Sequence, residues 1–175
     1  MEGGAMADLL THVLVAYSLT TALSFRYEWL TPHYVTVAMI GSILPDLSRM
    51  SLLVAGERIE LLTGLPFSWF GFHTLGGVLL TSAIGALLTS GEWRRRVFGL
   101  LVFGALSHLV LDALLLAPSG YSAPMWVPFT TQRLPTPGLY QSPDRWPALL
   151  AASVATVAWY LRHRTSFGTG VSTSQ

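Results

Sequence analysis

Ser107-His108-Leu109-Val110-Leu111-Asp112 is the stretch on which the reading of this chain turns. It sets a His and an Asp four residues apart inside an otherwise apolar run, residues 97–117. At 3.6 residues per turn, the two side chains lie one above the other on one helix face. An imidazole nitrogen and a carboxylate oxygen one turn apart are a ready pair of ligands for a divalent metal. The run is long enough to span a bilayer, and ionisable groups inside a span are costly and mark function. Alone, the pair also suits a hydrogen bond between helices, so its meaning depends on what else can reach it.

The composition supports a membrane setting. The chain has 175 residues, of which 51% are hydrophobic and 11% charged, with a mean hydropathy of +0.52. Soluble domains carry about 25% charged residues, so a water-facing surface would be hard to build here. The length suggests one domain. The net charge of +1 leaves no case for nucleic-acid binding. There is no Cys, which excludes disulfides, thiolate nucleophiles and thiolate metal ligands. A metal would be held by His, Asp or Glu. The first apolar stretch has no basic leader and carries Asp8 and His12, so it reads as a span and not as a cleaved signal.

Outward from the central run, apolar stretches fall at residues 7–25, 34–54, 69–88, 97–117 and 148–161. The second is interrupted by Leu44-Pro45-Asp46, and the proline predicts a kink. Seven of the ten prolines lie in residues 118–147, which rules out a long helix there. The pattern predicts an all-α polytopic membrane protein of about five transmembrane helices. It forms one embedded domain over residues 1–164, with a polar, disordered tail at 165–175. Positive residues favour the cytoplasmic side. With Arg94–Arg96 inside, six Arg fall inside and four outside. Asp8, His12, Asp46, His73, His108 and Asp112 then come to similar depth, in the outer leaflet, under the long connection. Each has a plainer reading: His12 and His73 as satisfied core groups, Asp8 and Asp46 as helix caps. Together they suit zinc or another divalent metal that takes nitrogen and oxygen ligands. Arg49, one turn past Asp46, could orient it or bind a phosphate, or simply snorkel. Gly76-Gly77 and the pair Gly99/Gly104 suggest close helix packing.

Four motifs carry a resemblance. They are Asp8-x3-His12, Gly41-x2-Leu44-Pro45-Asp46, Phe72-His73-x2-Gly76-Gly77 and Ser107-His108-x3-Asp112. In these the chain resembles the family of membrane-bound, metal-dependent hydrolases, over most of residues 6–128. The order His, Asp, His, His-x3-Asp is also similar to that of zinc-dependent phospholipase C, an all-helical enzyme. The resemblance implies metal ligands at His12, Asp46, His73, His108 and Asp112, with Asp112 a bridge between two metals. The chain departs from the pattern at Thr74, where many members have Arg, and at Ser48, where many have an acid. No His lies between 108 and 163 and no Glu follows Glu92, so one or two metals are expected and not three.

The expected function is hydrolysis of a phosphoester or ester in a membrane-embedded or amphiphilic substrate, such as a lipid head group. Asp46 would serve as ligand or general base, with Asp8 and Arg49 in supporting positions. The alternative is a non-catalytic membrane protein whose His/Asp cluster binds metal or only fixes helix contacts.

Overall fold

The structure, a computed structural model, describes the backbone of residues 3–168 and the side chains of residues 9–164. The expected tail falls mostly outside these residues. Helix α1 spans Gly3–Ser24, α2 Pro32–Gly41, α3 Gly56–Thr63, α4 Leu75–Leu87, α5 Arg94–Ala113 and α6 Trp146–Gly168. Two 3-10 segments, Leu44–Leu52 and Trp69–His73, stand between the early helices. No strand forms among the described residues. The long connection makes only two isolated bridges, Leu115 with Tyr140 and Tyr121 with Pro135.

The second apolar stretch is not one kinked helix. It leaves α-geometry at Gly41 and continues as a 3-10 segment from Leu44. Pro45 has no N–H to give, and its ring conflicts with the carbonyl four residues back, at Gly41. The third stretch also divides. Thr74 is extended, with φ −119° and ψ 158°, and its Oγ1 accepts a 3.1 Å bond from Gly77 N to cap α4. Among the described residues, one helix, Arg94–Ala113, is long and apolar enough to cross a membrane, while Leu9–Ser24 and Leu75–Leu87 are shorter apolar helical runs. The apolar surface extends well beyond that one helix. Leu80, Ile84 and Leu87 of α4, and Leu149, Leu150, Val154 and Val157 of α6, are all exposed. Apolar stripes of this extent are rare on monomers surrounded by water.

Helix α5 is the central element, packed against α2, α4 and α1, while α6 lies along α1. Glycine makes the α2–α5 approach possible. A Cβ on Gly104 would strike the Ala38 carbonyl, and one on Gly41 would strike the Leu101 backbone. A Cβ on Gly99 would meet nothing within 4 Å, so of that pair only Gly104 packs as expected. We expect Gly104→Val to cost about 1–3 kcal/mol by overpacking, seen as a lower melting temperature in detergent with unchanged metal stoichiometry. Leu109, Val78, Ala105 and Met125 form one core cluster, joining α5, α4 and the long connection.

That connection is irregular, as its prolines require, but it is tied to the helix ends. The Met125 and Val127 carbonyls accept from Leu75 N (2.6 Å) and Gly76 N (2.8 Å), two first-turn donors of α4. The Tyr140 hydroxyl donates to the Leu111 carbonyl at 2.9 Å, near the end of α5. The opposite end of the bundle is arginine-rich. Arg162 donates to the Leu30 carbonyl at 3.1 Å, and Arg96 stacks over Trp29.

Candidate metal centre

His108 and Asp112 meet one turn apart on α5, as their spacing requires, with Nε2 and Oδ2 at 3.3 Å. Two further histidines reach the same carboxylate from other elements. His12 Nε2 on α1 is 3.2 Å from Asp112 Oδ1. His73 Nε2, at the end of the second 3-10 segment, is 2.7 Å from Oδ2. The His12 and His108 rings stack at 3.8 Å, and His73 stands edge-on to His108 at 5.3 Å. His12 and His108 are fully buried.

The broken second stretch sets the tautomers. His108 Nδ1 lies 2.8 Å from the Ser42 carbonyl, and His73 Nδ1 lies 3.3 Å from the Pro45 carbonyl. A carbonyl only accepts, so each Nδ1 carries the proton and donates. In a neutral ring Nε2 then turns a lone pair toward Asp112. An imidazole lone pair and a carboxylate oxygen repel unless a proton or a metal ion lies between them. His108 Nε2 and Asp112 Oδ1 are buried with no hydrogen bond. Backbone carbonyls that hold ligand imidazoles by their far nitrogen are the usual outer support of a metal site. His12, His108 and Asp112 form a group that can hold a metal ion, their ligand atoms all within 4.8 Å of one another. The residues therefore fit such an ion.

Asp46 lies beside this cluster. It follows Pro45, whose carbonyl holds His73, but its own Oδ1 pairs with Arg49 Nε at 2.7 Å. The segment start has no side-chain cap, so Asp46 is not a helix cap. Its Oδ2 is buried without a hydrogen bond. The side chain of Asp8 lies outside the described residues. His163 stacks on Trp159 at 5.0 Å, far along α6, and His33 is exposed at the start of α2, so neither joins the cluster.

Two structural contributions lie outside the side-chain reading of the sequence. The Ser42 and Pro45 carbonyls carry no side-chain signal. The Phe-His-x2-Gly-Gly motif has a steric reason: a Cβ on Gly77 would overlap the Gly71 carbonyl, which sits in the same short segment as His73. Thr74 accordingly acts as a cap and as a tie, donating from Oγ1 to that carbonyl at 2.7 Å.

Metal binding needs each ligating imidazole nitrogen free of its proton. We therefore expect metal affinity to strengthen as pH rises from about 6 to 8, and metal titrations across that range check it.

No curated protein and no solved structure matches the chain. Residues 6–171 match the family described as YdjM inner membrane protein, which accords with the apolar exposed helices and the spanning length of α5. With nearly its whole length matched, this chain, with its His12–His108–Asp112 group, belongs to the YdjM inner membrane protein family.

Proposed function

We propose that the chain is a membrane-embedded, metal-dependent hydrolase acting on a phosphoester or ester of an amphiphilic substrate, with a lipid head group as the preferred target. The observation that carries this is the meeting of three Nε2 atoms, from three separate elements, on one carboxylate. In this reading His12, His73, His108 and Asp112 hold one or two ions, and nitrogen and oxygen donors of this kind favour zinc. The resemblance to membrane-bound, metal-dependent hydrolases supports the same chemistry. A bound divalent ion supplies a water of lowered pKa and polarises the scissile group.

Asp46 is the general base of this reading. Its buried Oδ2 accepts the proton of the attacking water, while Arg49 holds Oδ1 and aims the carboxylate. Orientation follows from the arginine-rich end. His108 lies 12 residues beyond Arg96 on the same helix, about 18 Å at 1.5 Å per residue. That is past the midpoint of a hydrocarbon core roughly 30 Å thick. With the arginines cytoplasmic, the centre sits in the outer leaflet.

The non-catalytic reading draws on one contact. The 2.7 Å approach of His73 to Asp112 also suits a plain charge-assisted hydrogen bond that ties the second 3-10 segment to α5. Purified protein at one or two zinc per chain, presented with short-chain phospholipids and a chromogenic phosphodiester, separates the readings. Metal-dependent turnover, abolished by chelator and restored by zinc, is expected. Stoichiometric metal with no turnover on any of these substrates would refute the hydrolase.

A further inference from the structure

A cavity of about 610 Å³ opens along the first 3-10 segment, α3 and the second 3-10 segment. These two 3-10 segments also carry Asp46 and His73, so the groove and the His/Asp cluster share a wall. Its polar lining has two signs. Arg49 stands on the segment that bears Asp46, and Glu57 and Glu60 stand on α3. Phe67, Trp69 and Phe70 supply aromatic faces.

We propose that this groove receives the zwitterionic head of a membrane amphiphile. The phosphate sits at Arg49, and the amine sits between the two glutamates and the Trp69 ring. The proposal rests on the hydrolase reading only for the statement that the phosphate lies toward the reacting end. A purely anionic head would face two carboxylates, and a neutral one would desolvate three charges without return. A head with a phosphate at one end and an ammonium at the other matches both. Guanidinium suits phosphate, and aromatic faces beside acids suit an alkylated amine.

The aromatic wall is preformed. Trp69 Nε1 donates to the Val54 carbonyl at 2.7 Å. Glu60 Oε1 accepts from Phe67 N at 2.8 Å. Phe67 meets the Trp69 ring edge-on at 4.9 Å.

The rim names the source of the head group. Leu52 lines the groove; it and Leu53, Leu61, Leu62 and Leu65, on and around α3, are 67–86% exposed, and α3 buries none of its residues. Leucines presented this way on a membrane protein lie at the lipid surface. They fit an amphiphile entering with its chains along the rim, and not a soluble phosphate ester.

The test uses chelator-treated full-length protein in maltoside detergent, so bound metal plays no part. The probes are dihexanoylphosphatidylcholine, dihexanoylphosphatidic acid and free phosphocholine. Binding is read from Trp69 emission, taken as the difference from a Trp69→Phe control. The choline lipid should bind roughly tenfold tighter than the acid, a scale set by one desolvated cation at aromatic and acidic partners. Glu57→Gln/Glu60→Gln keeps the acceptor for Phe67 N and should erase that preference. Arg49→Gln should weaken both lipids. The exposed glutamates decide the matter even where Arg49→Gln, which strips Asp46 of its partner, does not fold. Equal binding of the two lipids, or a preference that survives in the glutamine pair, overturns the proposal. Free phosphocholine binding as tightly as the lipid overturns the membrane source. Metal uptake without head-group preference sinks this proposal alone, whereas head-group preference without metal uptake sinks only the hydrolase.

Discussion

Asp112→Asn should lower metal affinity at least about a hundredfold while the protein stays helical. Three imidazoles from α1, the second 3-10 segment and α5 face this one carboxylate, at 3.2, 2.7 and 3.3 Å. Removing one partner from a buried ionic cluster costs about 3–5 kcal/mol, and each 1.4 kcal/mol is tenfold in affinity. Asparagine keeps the size of the side chain. Its amide can donate to an imidazole Nε2, so the helix contacts survive without the charge. A competition titration against a chromophoric chelator, with circular dichroism as the folding control, measures both parts. Wild-type affinity in Asp112→Asn would show that the carboxylate is no ligand.

Asp46→Asn should leave metal content unchanged and lower turnover by roughly 10²- to 10⁴-fold, the range for loss of a general base. The distinction lies in the contacts of Asp46. Its Oδ1 is held by Arg49, and its Oδ2 is buried with no hydrogen bond. A base needs an open lone pair aimed at a water; a ligand would already be drawn into the cluster. Elemental analysis and turnover on the same sample decide between them. Loss of metal together with rate would make Asp46 a ligand, as the resemblance implies, and would move the base elsewhere.

Much of the cluster was legible because helix spacing is a local rule. His108 and Asp112 had to share a face once α5 was a helix. His12 and His73 could be placed at the same depth by alternating the direction of apolar stretches. What stayed hidden depends on backbone. The Ser42 and Pro45 carbonyls that orient His108 and His73 exist only because the chain departs from α-geometry after Gly41. A proline forecasts a kink, but it does not forecast nine residues of 3-10 turn, Leu44–Leu52. Thr74, read as a departure from a pattern, proves to be the cap of α4.

The span count followed length and hydropathy, and those quantities blur where a stretch divides. Residues 34–54 and 69–88 each have enough apolar length to cross, yet each is shared between a 3-10 segment and a shorter helix. The divisions put His73 on a short turn within reach of the α5 carboxylate, and Asp46 on the neighbouring one, beside Pro45, whose carbonyl holds His73. The groove was equally hidden, since Arg49, Glu57 and Trp69 fall on three elements and make no motif.

Metal content by elemental analysis tests the central claim most directly, on detergent-purified protein beside a His108→Ala/Asp112→Ala variant, with chelators absent throughout. The account predicts about one or two zinc per chain in the parent, the number its donor set can hold, and none in the folded variant. No metal in either protein, with both folded, would contradict it and leave the histidines as ties between helices.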